Sequence, residues 1–133
     1  MQTIWITGGS SGIGFATAKE FINNNWQVVI SSSNKIKLES AKKKLELNNN
    51  KNLVHAIVCD ISSKNNVDET INSIEKNIGK IDIALLNASA YSPNKNQIFD
   101  IENYELLVDV NIKGTLYCVN KLKDVMKNRN NTI

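Results

Sequence analysis

Two hydrophobic periods alternate along the 133 residues. Short, largely β-branched apolar runs stand at Thr3-Ile4-Trp5-Ile6-Thr7, Gln27-Val28-Val29-Ile30, Leu53-Val54-His55-Ala56-Ile57-Val58 and Ile81-Asp82-Ile83-Ala84-Leu85-Leu86. Runs of this kind predict parallel strands buried on both faces. Between them apolar residues return at helical spacing: Phe15, Ala18, Phe21 and Ile22, then Leu38, Ala41 and Leu45, then Val67, Ile71, Ile74 and Ile78. A longer pattern, Leu107, Val110, Gly114, Cys118, Leu122 and Val125, follows the fourth run. Each predicts a helix with one face turned inward. Four strand-to-helix alternations predict an α/β fold, a doubly wound parallel sheet of about four strands with helices on both faces. One long connection, from about Ala88 to Asn103, holds the only proline, Pro93, and is placed where ligand sites commonly form.

Composition narrows the class without naming it. At 41% apolar and 22% charged residues the chain has an ordinary globular balance, and its length suits one domain, 1–133. No apolar run reaches the length of a membrane span, and the N-terminus lacks the basic region of a signal peptide, so the cytoplasm is the expected location. The formal charge of +3 is spread out, and Lys42-Lys43-Lys44 reads as a solvated helix face, which argues against a nucleic-acid partner. The two cysteines, Cys59 and Cys118, fall in different elements and argue against a structural disulfide or a metal site. His55, the only histidine, lies within a strand and reads as a packing residue, so no Ser-His-Asp triad can be built.

The chemistry begins at Thr7-Gly8-Gly9-Ser10-Ser11-Gly12-Ile13-Gly14, which follows the first strand and opens the first helix. Glycines let a backbone turn tightly and approach a pyrophosphate without an intervening Cβ, and the helix N-terminus offers N–H groups and a positive dipole end. No Lys-Ser/Thr pair follows the last glycine, which disfavours a P-loop hydrolase.

This turn resembles the Thr-Gly-x-x-x-Gly-x-Gly turn of the short-chain dehydrogenase/reductase family. Three further segments are similar to that family's motifs, in order: Cys59-Asp60-Ile61, Asn87-Ala88-Ser89, and Val110-Asn111-Ile112-Lys113-Gly114. Two positions depart from the family's Asn-Asn-Ala-Gly motif, with Leu86 for its first Asn and Ser89 for its Gly. The resemblance implies a Rossmann-type fold and hydride transfer between NAD(P)(H) and a carbonyl or alcohol. It implies cofactor contacts at Gly8, Ser10, Ser11, Gly12, Ile13, Gly14, Asp60, Ile61, Asn87, Ala88 and Ser89, and a catalytic role for Asn111.

Read from the residues alone, alternatives stay open. Asp60 could cap the next helix together with Ser62 and Ser63, Asn87 could be structural, and Asn111 could be one more surface residue in a chain with 21 asparagines. Cofactor choice turns on Ile30-Ser31-Ser32-Ser33-Asn34-Lys35, which has no acid to bind a free ribose 2′-hydroxyl. Ser32, Ser33 and Asn34 can donate hydrogen bonds and Lys35 can add charge, which leans towards NADP over NAD.

The family's acid/base is a tyrosine in a Tyr-x-x-x-Lys motif on a later helix. Tyr91 to Lys95 and Tyr117 to Lys121 match the spacing but precede that point of the fold. The chain ends at Asn131-Thr132-Ile133, where a fifth strand is expected, so the reading is of a truncated cofactor-binding half whose catalytic Ser, Tyr and Lys lie beyond it. An open sheet edge and an uncovered helix face would follow, with a homo-oligomer to cover them. Three readings remain: an oxidoreductase seen in part, a non-catalytic NADP-binding module, or a structural remnant. A methyltransferase is disfavoured by the missing acid after the second strand.

Overall fold

The computed structural model describes residues 1–48, 52–91, 99–127 and 129. Strands β1 (Thr3–Thr7), β2 (Gln27–Ser32), β3 (Val54–Val58) and β4 (Ile81–Leu86) form one parallel sheet in the order β3-β2-β1-β4. Between and after them come helices α1 (Gly12–Asn23), α2 (Lys35–Leu45), α3 (Lys64–Asn77), α4 (Ile101–Val108) and α5 (Thr115–Met126). A short 3₁₀ turn, Glu46–Asn48, follows α2, and a π-helical stretch, Asp109–Gly114, joins α4 to α5.

β1 is buried along its whole length, so its alternate side chains feed two cores. Ile4 and Ile6 pack with Ala18 and Ile22 of α1 and Leu38, Ala41 and Leu45 of α2. Trp5 points the other way, into Val67, Ile71 and Ile74 of α3 and Cys118 and Leu122 of α5. Each fully buried aliphatic side chain contributes about 1.5–3 kcal/mol relative to exposure. These two layers are what the alternating periods of the sequence encode.

Two differences from the sequence pattern stand out. The last helical unit begins at Ile101, inside the stretch expected to be a loop, because Asp100 caps it and its side chain accepts a hydrogen bond from Asn103 N at 3.3 Å. α4 buries no residue, so apolar periodicity could not reveal it. Pro93 lies outside the described residues. The wide π turn is the second difference, and a period-based reading has no signal for it.

A row of polar contacts crosses the base of the sheet, one residue from each strand. The β1–β4 register slips between Thr3 and Ile4, leaving Asp82 bulged, and Asp82 Oδ2 accepts from Thr3 N at 2.7 Å in place of a backbone carbonyl. Thr3 Oγ1 donates to Gln27 Oε1 at 3.2 Å, and Gln27 Nε2 lies 3.1 Å from His55 Nε2. Burial, with the nearby Lys42 charge, holds the His55 pKa below its ordinary value, which favours the neutral ring.

Candidate functional site

The strand order reverses at β1: β2 and β3 lie on one side and β4 on the other. In open α/β sheets the crevice beyond the carboxyl ends of strands at such a point is where ligands bind. Here the glycine-rich turn fills that position. Gly8 and Gly12 both have positive φ, +67° and +55°. A Cβ on Gly8 would meet Ala88 Cα at 2.8 Å, so the turn and the end of β4 touch backbone to backbone. Gly9 N donates to Ser31 O at 3.1 Å, fixing the turn to the end of β2.

β4 is tied in from its own side. Asn87 Nδ2 donates to the carbonyls of Thr7 and Gly8 at 3.2 and 3.3 Å, and Ala88 N donates to Thr7 Oγ1 at 3.0 Å. The structural alternative for Asn87 therefore holds, and the residue also faces the cleft. Asp60 does not cap α3: that cap is Ser63, which accepts from Asn66 N. Asp60 Oδ1 instead accepts from Ser62 N and Ser62 Oγ at 3.0 and 2.7 Å.

These pieces enclose a cleft of about 670 Å³. It is lined by thirteen of the fourteen expected cofactor residues: Gly8, Ser10, Ser11, Gly12, Ile13, Ser32, Ser33, Asn34, Asp60, Ile61, Asn87, Ala88 and Ser89. Gly14 stands behind the lining, where a Cβ would meet Gly8 O at 2.6 Å and Asn87 Nδ2 at 2.7 Å. Ser11 is the N-cap of α1 but makes no side-chain cap bond, so its hydroxyl is not committed to the helix. That turn, with no Cβ at Gly12 and open space around it, fits a phosphate anion.

One expected contact moves. Lys35 pairs with Glu39 at 3.9 Å, and the cation lining the cleft is Lys37. Asn34 is the reason: its Oδ1 accepts from Lys37 N at 2.9 Å, which starts α2 at Lys35 and sets the helical phase of the residues that follow. Sequence reading also missed Ser31, Cys59, Ala90, Leu106 and Val110 as lining residues. Leu106 and Val110 stand four apart on the α4 helical unit, a spacing that points to one face once the early start of α4 is known.

Asn111 does not line the cleft. Its side chain brackets the backbone of Ala90, which does: Nδ2 donates to Ala90 O at 2.9 Å and Oδ1 accepts from Ala90 N at 2.7 Å. The residue is exposed, yet its amide is spoken for at both ends. Among the described residues no group of three or more His, Cys, Asp or Glu stands together as a metal site, and no helix is long and apolar enough to cross a membrane.

A parallel sheet in this order, with a glycine-rich turn opening the first helix at the reversal, defines a Rossmann-type α/β protein. More narrowly, the chain belongs to the short-chain dehydrogenase family, whose model matches residues 2–132. An uncharacterized oxidoreductase of Staphylococcus saprophyticus is 32% identical over 124 residues, 93% of this chain and 53% of the relative. One from Staphylococcus aureus strain MW2 is 32% identical over 114 residues, 86% of this chain and 48% of the relative. A short chain dehydrogenase from Bacillus anthracis superposes with a TM-score of 0.85 at 26% identity, covering 94% of this chain and 51% of that one. Serine dehydrogenase from Escherichia coli shares the fold, with a TM-score of 0.78 at 22% identity over 94% of this chain and 56% of its own. The chain thus spans about half the length of the relatives it matches.

Proposed function

We propose that this chain is the cofactor-binding half of an NADP(H)-dependent oxidoreductase acting on a small carbonyl or alcohol substrate in the cytoplasm. Family membership supports the NAD(P) class. The observation that carries NADP over NAD is the end of β2, where Ser32, Ser33, Asn34 and Lys37 line the cleft and residues 31–37 contain no acid. An NAD-type site would place a carboxylate there for the two ribose hydroxyls, and a carboxylate would repel a 2′-phosphate. Bound there, the cofactor would supply the hydride. The chain's own residues would hold it: the turn Gly8 to Gly14 at the pyrophosphate, Asp60 and Ile61 at the adenine, and Asn87, Ala88 and Ser89 at the ribose beside β4. Asn111 would then act as a positioning residue through the backbone of Ala90.

The test is a fluorescence titration with NADPH and with NADH. A charge-assisted hydrogen bond contributes about 1.5–3 kcal/mol, so NADPH should bind roughly 10- to 100-fold more tightly, and Lys37→Glu should remove most of that margin. Equal affinities, or tighter NADH, would overturn the NADP assignment. No binding of either nucleotide would leave the reading of a structural remnant.

The partner in this reading is a second copy. Val108, Ile112, Leu116 and Val119 follow one another along the outer side of the α4–α5 unit and are each two-fifths or more exposed. Residues 100–109 carry Asp100, Glu102, Glu105 and Asp109 with no base, whereas 113–127 carry Lys113, Lys121, Lys123 and Lys127 against one acid, Asp124. A two-fold antiparallel pairing of this helix would bury the apolar stripe and set acidic halves against basic ones. Leu116→Glu should therefore shift the sedimenting species from dimer to monomer; a wild-type monomer at micromolar concentration would rule the pairing out.

A further inference from the structure

Asp60 reaches the cleft from the turn between β3 and α3, and that turn is held by a side chain from inside the helix. Asn66 is the third residue of α3, whose cap is Ser63. A polar side chain at this position ordinarily returns to the N–H of the cap residue. Here Ser63 N is already taken: it donates to Asp60 O at 3.1 Å and closes the turn. The Asn66 side chain reaches further back, and its Oδ1 accepts from Asp60 N at 2.7 Å.

The sheet explains why that N–H needs a partner. Cys59 N donates to Ser32 O at 3.1 Å, one residue beyond the last pair of β3 with β2. In an extended chain the next N–H points to the opposite side, and β3 is the edge of the sheet, with no strand there. Asn66 Oδ1 supplies the acceptor that a further strand would have offered. On either side of Asp60, Cys59 and Ile61 are buried. With its N–H held as well, Asp60 has little left to vary but its own side chain.

The carboxylate is fixed in turn by Ser62, whose N and Oγ donate to Asp60 Oδ1 at 3.0 and 2.7 Å. Both donors fall on one oxygen, and no described residue donates to Oδ2. Asp60 is exposed and lines the cleft. An ionised carboxylate only accepts, so a held one favours a ligand N–H and repels a ligand carbonyl in the same place. Among purines, a 6-aminopurine offers the N–H there and a 6-oxopurine offers the carbonyl.

We propose that Asn66 is a positioning residue: by holding the Asp60 N–H it aims the Asp60 carboxylate, and so sets the preference of the cleft for a 6-aminopurine nucleotide over a 6-oxopurine one. This role rests on the cofactor reading above, in which Asp60 meets the adenine. It is distinct from capping α3. The cap uses the Asn66 backbone N and the Ser63 hydroxyl, 3.4 Å apart, and does not need the Asn66 side chain. Alanine is also the better helix former. Asn66→Ala should therefore leave α3 in place and loosen only the turn that carries Asp60.

The experiment titrates the full chain with NADPH and NADH and with the hypoxanthine counterpart of each, and reads the ratio of dissociation constants between the two bases. A hydrogen bond to a charged group sets the scale, so the native chain should prefer adenine roughly 10- to 100-fold. Asn66→Ala should lower that ratio about fivefold through weaker adenine binding, with hypoxanthine affinity and Tm little changed. Asn66→Asp keeps an acceptor for Asp60 N, and its charge acts alike on both nucleotides, so it should restore the ratio. An Asn66→Ala ratio equal to the native one, or an equal loss of affinity for both bases, would overturn the positioning role, as would an Asn66→Asp ratio no higher than that of Asn66→Ala. A native chain binding both bases alike would overturn the preference. A native chain that binds none of the four nucleotides would remove the cofactor reading and this role together, and that outcome shows before any substitution is made.

Discussion

Gly14→Val should destabilise the fold by about 3 kcal/mol, by overpacking a junction that has no slack. A Cβ at this position meets Gly8 O at 2.6 Å and Asn87 Nδ2 at 2.7 Å. Neither can retreat. Gly8 is pressed on Ala88, and the Asn87 amide is engaged by the Thr7 and Gly8 carbonyls. Alanine gains about 1 kcal/mol of helix propensity over glycine and loses about 1–3 kcal/mol to the clash, so Gly14→Ala should be milder but still unfavourable. Gly12→Ala provides the contrast. Nothing lies within 4 Å of its Cβ, and its cost comes from φ alone, about 1–2 kcal/mol. Urea unfolding checks the order, with Gly14→Val the worst. NADPH binding should be lost with Gly14→Val because the shifted Gly8 carbonyl distorts the turn. A Gly14→Val protein as stable as the native one would mean that turn and β4 are not in contact as described.

The second large effect lies at the far end of the sheet. Glu75 of α3 accepts from Arg129 Nη2 at 2.6 Å and Nη1 at 3.3 Å, and its Oε1 also accepts from Ile81 N at 2.8 Å. One carboxylate thereby joins α3, the start of β4 and the chain just beyond α5. Breaking a fully buried pair of this kind costs about 3–5 kcal/mol. These side chains keep 23% and 18% exposure, which screens part of the interaction. We expect Glu75→Ala to cost about 2–3 kcal/mol, since the Ile81 N–H is left buried without its acceptor and the guanidinium loses a counter-charge. For a chain of this size that lowers Tm by roughly 10 °C. Glu75→Gln keeps an acceptor for Ile81 and should lose about half as much. Calorimetry on the two variants checks the ratio; equal losses would mean that charge alone accounts for the contact.

Much of the cleft was legible in the sequence for a specific reason. Its lining comes from strand ends and the turns that follow them, and those turns are short and carry their own chemistry: Gly8 and Ser10 to Ile13 after β1, Ser32 to Asn34 from the last residue of β2 onward, Asp60 and Ile61 after β3, Asn87 to Ser89 after β4. A residue directly after a buried strand has one place to be. Residues reaching the cleft from inside helices were not legible, because their direction depends on where the helix starts. Lys37 rather than Lys35 faces the cleft because Asn34 fixes the start of α2. Leu106 and Val110 reach it because α4 begins at Ile101 under an Asp100 cap, with no buried residue to announce it.

The sequence by itself determined the alternation of strands and helices, the two-faced parallel sheet and the glycine-rich turn that opens α1. Period two against period 3.6, and glycines at fixed intervals, are local properties that need no partner to be expressed. Only the tertiary structure decided the rest. It placed β4 against β1 rather than beside β3, brought the Asn111 amide onto the backbone of Ala90 across 21 residues, and set Cys59 into one core with Cys118. Those contacts depend on packing between distant segments, where a glycine without a Cβ or a bulge at Asp82 fixes the approach of two elements, and no local pattern records which distant residue will be met.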